Sequence, residues 1–301
     1  MKLLLTGGTG YLGSAILKDL LARGHAVEAL ARSDDSAARL ADAGADVHRG
    51  DLTDPATLEA AAAGVDGVIH TAFGHDFARY AEMGEIDREA IDKLIHGLID
   101  GGGKVLVTTS VTTVAPAGVT ATEVTSADDA AVSATRAASE RVTLAAADRG
   151  VRSAAVRLPP SVHGPDDRAF VPMLMDLAER TGVSAYLGDG RNRWPAVHRD
   201  DAARLYVLAV EKLADGSLPP GSLLHGVADE AVPFADVATA IADRLGLGEP
   251  EPRAADHFGW LGTFAGLDNP ATSATTRRQT GWHPTQPSLL DDVRGPSYAC
   301  A

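Results

Sequence analysis

Leu3-Leu4-Leu5-Thr6-Gly7-Gly8-Thr9-Gly10-Tyr11-Leu12-Gly13 reads as an apolar strand, a glycine turn and the opening of a helix that continues over residues 14–23. A diphosphate can be held by the unpaired backbone N–H groups at a helix N-terminus, provided the chain turns tightly and carries no side chains where the phosphates approach. Gly7, Gly10 and Gly13 meet that requirement, and the strand-turn-helix context separates this pattern from an ordinary glycine turn. Thr6, Tyr11 and Leu12 complete the loop. The segment predicts a dinucleotide site.

Outward from this turn, short apolar runs at 27–30, 46–48, 68–69, 105–109 and 154–157 alternate with helical stretches. Such alternation predicts an α/β fold with a doubly wound parallel sheet and crossover helices. Residues 83–99 place Ile86, Ile91, Leu94, Ile95, Leu98 and Ile99 near a helical repeat, and 135–149 is alanine-rich with a cap on each side. Both read as helices covering the sheet. After Pro159, Pro-, Gly- and Asp-rich turns interrupt shorter elements, with helices expected at 200–212 and 234–245 and a strand at 222–227. No internal repeat is present.

The chain has 301 residues, 45% of them hydrophobic, enough to bury one large core with a smaller lobe attached. A formal charge of -14 argues against nucleic acid and anionic membrane surfaces as partners, because both need a basic patch. A small-molecule substrate is expected, with a possible homodimer. Cys300 is the only cysteine, so no internal disulfide or cysteine-based metal site is expected, and no His/Asp/Glu set has metal-ligand spacing. No signal-peptide core or membrane-spanning run is read, which leads to a cytoplasmic expectation.

The TGxxGxxG spacing resembles the extended and atypical short-chain dehydrogenase/reductases, within the NAD-dependent epimerase/dehydratase-like superfamily. Further segments carry the same resemblance. Val65-Asp66-Gly67-Val68-Ile69-His70 with its tail Thr71-Ala72-Phe73 looks like the fourth strand, which passes under the adenosine and nicotinamide ribose. Gly50-Asp51-Leu52 resembles the third-strand exit, whose Asp meets the adenine. Val105-Leu106-Val107-Thr108-Thr109-Ser110 resembles the fifth strand ending in the catalytic Ser. The stretches at 157–165, Pro159 included, and 197–202 resemble two later signatures, so the likeness covers nearly the whole chain. It implies a Rossmann domain formed by 1–158 plus about 188–227, with a substrate-binding lobe formed by about 159–187 plus 228–301.

One family signature is missing. Short-chain dehydrogenases typically carry YxxxK on the helix after the Ser, the Tyr handling the proton and the Lys binding the nicotinamide ribose. Here that helix matches Val132-Ser133-Ala134-Thr135-Arg136-Ala137-Ala138-Ser139-Glu140, which places Val132 at the Tyr position and Arg136 at the Lys position. None of the five tyrosines has a Lys four residues on. The departure resembles a subgroup lacking YxxxK.

An NAD site usually ends its second strand with an acid that bonds the ribose hydroxyls, whereas an NADP site offers groups that accept a phosphate. This strand ends Leu30-Ala31-Arg32-Ser33, which favours NADP(H) over NAD(H), although Asp34 and Asp35 follow.

Arg136 stays protonated at any working pH, so it can bind ribose hydroxyls or steady a developing alkoxide but is a poor proton donor. Ser110 can donate to the same oxygen. His75 lies just past the fourth strand, and the unperturbed pKa of an imidazole suits general acid work, with helix entry beside Asp76 as its other reading. His163 is a further candidate at the substrate. Phe258, Trp260 and Trp194 form an aromatic group suited to a flat apolar pocket or to core packing. The expected activity is an NADPH-dependent reduction of a small carbonyl, enone or imine. The alternatives are a non-catalytic NADP(H)-binding regulator and, behind it, a nucleotide-sugar epimerase or dehydratase.

Overall fold

A computed structural model describes residues 1–74, 79–127 and 134–298. The first half follows the alternation closely: β1 (Lys2–Thr6), α1 (Tyr11–Ala22), β2 (Ala26–Ala31), α2 (Asp34–Asp42), β3 (Asp46–Arg49), α3 (Pro55–Ala63), β4 (Gly67–His70), α4 (Tyr80–Ile99), β5 (Val105–Val111), α5 (Ala134–Ala145) and β6 (Arg152–Leu158). Then come β7 (Ser161–His163), α6 (Phe170–Thr181), β8 (Ala185–Leu187), β9 (Arg193–His198), α7 (Arg199–Asp215), β10 (Ser222–His225), β11 (Asp229–Pro233), α8 (Phe234–Leu245) and β12 (Glu251–Arg253). Three short helices, α9 (Gly262–Ala265), α10 (Ala274–Thr280) and α11 (Leu289–Arg294), follow, and a 3-10 turn, Pro296–Tyr298, closes the described chain.

Seven strands form one parallel sheet in the order β10-β6-β5-β4-β1-β2-β3. Because β1 is followed by β2 on one side and flanked by β4 on the other, the strand order reverses at β1. In an open parallel sheet this reversal leaves a crevice at the carboxyl ends, where ligands bind. The glycine turn sits at the mouth of that crevice.

Both faces of the sheet are covered, which explains why β1 reads as an unbroken leucine run rather than an alternating one. Leu3 and Leu5 pack with Ile16, Leu20 and the apolar side of α7, whereas Leu4 packs on the opposite face with Leu58, Ile91 and Leu94. A separate core, built on α6, α8 and α11, holds Val171, Trp194, Phe234, Ile241 and Leu289. Its strands form a three-stranded sheet, β11-β9-β7, and a two-stranded sheet, β12-β8.

Several boundaries differ from the sequence reading, three of them for a visible reason or at an element's start. The alanine-rich helix is α only to Ala145 and tightens into a 3-10 turn, Ala146–Arg149, that Gly150 closes at φ +83°. The strand expected to reach residue 227 stops at His225, where Thr276 Oγ1 takes the backbone N–H of His225 out of the ladder at 2.7 Å. The helix expected from residue 83 begins at Tyr80.

Candidate active site

Each glycine of the turn has a steric reason. Gly7 sits at φ +75°, and a Cβ there would lie 2.7 Å from the Ala72 nitrogen and 2.8 Å from Thr71 Oγ1, so the segment leaving β4 approaches the turn too closely for any side chain. A Cβ on Gly13 would fall on the Gly7 carbonyl. The turn closes through Gly10 N–H donating to the Gly7 carbonyl at 2.9 Å. Helix α1 starts from Gly10 with no side-chain cap and no acid in its first turn. Uncapped N–H donors beside a cradle that a Cβ would fill are the donor set a diphosphate needs, so these residues fit a bound dinucleotide.

On the β2 side of the turn, three arginines gather. Arg32 is exposed and makes no hydrogen bond or ion pair among the described residues. Arg39 donates to the Thr9 carbonyl at 3.3 Å, and Arg49 donates to the Ser33 carbonyl at 2.6 Å and to Asp34 at 2.8 Å. Ser33 is the N-cap of α2 and shares a capping box with Ser36, so its hydroxyl has a structural task as well. The two aspartates that follow are exposed, and Asp34 is drawn to Arg49. Asp51 lies at the exit of β3 beside Leu52; hydrogen bonds from the Thr53 backbone and hydroxyl hold its carboxyl below the usual range. Arg39 and Arg49 escaped the sequence reading, because nothing local marks an arginine sixteen residues away as a neighbour of Ser33.

On the other side, the ends of β4 and β5 hold a buried polar chain. Thr6 Oγ1 accepts the Ala72 N–H at 3.3 Å and donates to His70 Nδ1 at 2.8 Å, a network that assigns the His70 proton to Nε2. His70 Nε2 then donates to Asp87 at 3.1 Å, and the other Asp87 oxygen accepts from Arg136 at 3.0 Å. Arg136 also donates to the Thr109 carbonyl at 2.6 Å and lies over the Phe73 ring, 4.1 Å from its centroid. Burial alone would raise the Asp87 carboxyl, but the His70 hydrogen bond and the Arg136 charge hold it below the ordinary carboxylate range. His70 and Asp87 were not singled out from sequence. The available signal was an acid at residue 87 on the same helical stripe as Ile91, Leu94 and Ile95.

Ser110 follows on the same strand, fully buried, its Oγ without a partner among the described residues. Thr108 turns its hydroxyl to Thr143 at 2.9 Å, inside the sheet-helix interface, and Thr109 Oγ1 meets the Tyr206 hydroxyl at 2.7 Å. Thr71, Ala72 and Phe73 are half-buried and line the path from the turn to Arg136; Pro159 is buried at the end of β6. His75 and Val132 lie outside the described residues.

The residues expected at the substrate divide. Trp194 (1% exposed) and Phe258 (4%) are core side chains of the lobe, and His163 is sealed with Nδ1 against Asp292 at 2.7 Å. All three face neighbours in the interior. Trp260 is different: it is 53% exposed and lies 6.4 Å from the Phe170 ring, which itself packs on Trp194 and Phe264. His198 caps α7 by accepting the Asp200 N–H at 3.1 Å. Among the described residues there is no group of three metal-ligating side chains, and no helix is long and apolar enough to cross a membrane.

Sheet order, switch point and uncapped glycine turn together define a dinucleotide-binding α/β protein. The family model for the NAD dependent epimerase/dehydratase family matches residues 3–220, and the chain belongs to that family. An uncharacterized protein of Schizosaccharomyces pombe is 42% identical over 99% of this chain and 100% of its own length. A 2-alkyl-3-oxoalkanoate reductase of Stenotrophomonas maltophilia is 34% identical over 82% of this chain and 76% of its own. Among solved structures, the UDP-glucose 4-epimerase of Thermotoga maritima superposes with a TM-score of 0.77 over 98% of this chain and 96% of that one; at 18% identity it speaks to the fold.

Proposed function

We propose that the protein is an NADPH-dependent reductase acting on a small organic carbonyl, enone or imine. The observation that carries this reading is the placement of Ser110 and Arg136 at the carboxyl end of β5, two strands from the glycine turn of β1. A relative named as a 2-alkyl-3-oxoalkanoate reductase supports a ketone-like acceptor. Residues 1–158 with about 188–227 take the coenzyme in this reading, and the lobe of about 159–187 with 228–301 takes the substrate, an apolar part of which meets Trp260 and Phe170.

The reduced coenzyme supplies the hydride. Thr6, Gly7, Gly10, Tyr11, Leu12 and Gly13 hold its diphosphate by backbone donors, and Arg32 with Ser33 takes the 2′-phosphate. Thr71, Ala72, Phe73, Thr108 and Pro159 bound its path over the sheet, with Asp51 and Leu52 at the adenine. At the substrate, Ser110 Oγ–H and Arg136 N–H donate to the acceptor oxygen and favour the charge that develops there. Neither gives up its proton readily, so His75 or a bound water completes the protonation. An acceptor that is conjugated or already cationic needs the least acid help, which suits a site without the tyrosine.

The test is NADPH oxidation against a panel of ketones, 3-oxoacyl esters, enones and imines. Turnover with at least one class is expected. Ser110→Ala and Arg136→Ala should each lower it about a hundredfold, while coenzyme affinity falls less for Ser110→Ala than for Arg136→Ala. Coenzyme binding with no turnover on any class would replace the reductase with a regulator.

A further inference from the structure

The hydride-transfer scheme uses Arg136 but gives no task to the carboxylate and imidazole behind it. Asp87 is 1% exposed and His70 2%, on the apolar side of α4 and the end of β4, where an isolated charge is strongly disfavoured. Their four hydrogen-bonding atoms are nonetheless all used, in one line from Thr6 of the glycine turn to Arg136. We propose that Asp87 and His70 are positioning residues that fix the Arg136 guanidinium at the nicotinamide half of the coenzyme site. This rests on the coenzyme reading above and adds how the arginine is held.

The sheet order supplies the direction. Arg32 directly follows β2, on one side of the glycine turn, and β4 and β5 end on the other. A dinucleotide whose diphosphate lies in the turn and whose adenosine phosphate meets Arg32 therefore sends its other half toward Phe73 and Thr109. Arg136 is clamped there from three directions: Asp87 at 3.0 Å, the Thr109 carbonyl at 2.6 Å and the face of Phe73 at 4.1 Å.

A guanidinium has five N–H donors in a rigid plane, and these contacts take two of them while setting the orientation of the rest. The charge of Asp87 matters as much as its geometry. A guanidinium without a fixed counter-charge would be drawn toward the phosphates, and the buried Asp87 carboxylate holds it beside Phe73 and Thr109. His70, its Nδ1 occupied by Thr6, can present only Nε2–H to Asp87, which fixes the carboxylate in turn.

The readout is the split in affinity between whole coenzyme and its adenosine half. NADPH and 2′,5′-ADP, with NADH and 5′-AMP alongside, are titrated into wild type, Asp87→Asn, His70→Gln and Arg136→Met. Asp87→Asn should weaken NADPH about tenfold and 2′,5′-ADP less than about threefold, with His70→Gln showing a smaller loss of the same kind. Equal weakening of both ligands, or of neither, overturns the proposal, since a general structural role moves the two together.

Should Asp87→Asn fail to fold, Asp87→Leu combined with Arg136→Met removes both charges at once and is compared with Arg136→Met alone. Equal NADPH affinity supports the proposal; a further selective loss overturns it, because Asp87 would then act on the coenzyme other than through Arg136. A wild type that binds none of the four ligands removes the coenzyme reading itself, and this inference with it.

Discussion

At the residue scale, two positions carry distinct demands. Gly13 admits no Cβ because the Gly7 carbonyl occupies the place. Gly13→Ala is expected to deform the turn and reduce coenzyme affinity at least tenfold, read by titration, where a merely flexible glycine would leave affinity unchanged. Arg32 is the one cation of its cluster with no hydrogen bond or ion pair among the described residues, whereas Arg39 and Arg49 are tied to backbone carbonyls. Charge-assisted bonds to a phosphate contribute about 1.5–3 kcal/mol each. Arg32→Ala should therefore raise the Kd for NADPH roughly tenfold to a hundredfold and leave that for NADH within about twofold; equal changes for both would detach Arg32 from the 2′-phosphate.

At the scale of elements, α5 is anchored to β6 by a buried bidentate pair, Arg157 to Glu140 at 2.7 and 2.6 Å, with a third bond from Arg157 to the Thr125 carbonyl at 2.9 Å. Removing one partner strands a buried charge, at a cost of about 3–5 kcal/mol. Glu140→Ala should lower the melting temperature by roughly 10 °C, a shift measurable by calorimetry, and a change under 2 °C would contradict the account.

The start of α7 is pH-sensitive. Burial, then the facing His163, holds His198 below its ordinary 6.5, with Asp200, Asp292 and Asp201 offsetting part of this. The folded protein thus keeps His198 neutral where the unfolded chain takes up a proton, so stability is full above about 6.5 and falls as pH drops below it. His198→Asn keeps an N-cap acceptor for Asp200 and should flatten the fall in melting temperature between pH 6.5 and 5; an unchanged slope would assign it elsewhere.

These elements also show what sequence could and could not reveal. The glycine turn, the ends of β2 and β5, and the amphipathic runs of α4 and α8 carry local signals, because spacing along the chain maps directly onto geometry within one element. Arg136 was reached through its place on α5. Its partner Asp87 lies 49 residues upstream and His70 a further 17, and such pairings exist only once β4, α4 and α5 have packed. The small β12-β8 sheet and helices α9 to α11 were not read either, since strands of three residues and helices of four to seven carry too few positions for a period to show. For Trp194 and Phe258, composition left pocket and core open, and the structure buries both side chains in the lobe.

At the scale of the whole molecule, the proposed function requires a chain of net charge -14 to attract a polyanionic coenzyme through local fields. Arg32, Arg39, Arg49 and the positive end of α1 bring positive charge to the turn. Binding to the folded state alone stabilises it by about 2.7 kcal/mol at a hundred times Kd. Saturating NADPH should accordingly raise the melting temperature by roughly 5–10 °C, and adenosine-half fragments by less. No shift with either coenzyme would argue against a native-state site.

The most direct test of the central claim is a calorimetric titration of NADPH and of NADH into the purified protein and its Gly13→Ala variant. The account predicts one site per chain, tighter for NADPH, and loss of that heat in the variant. Absence of binding heat for both coenzymes in the wild-type protein, or binding that survives Gly13→Ala undiminished, would contradict it.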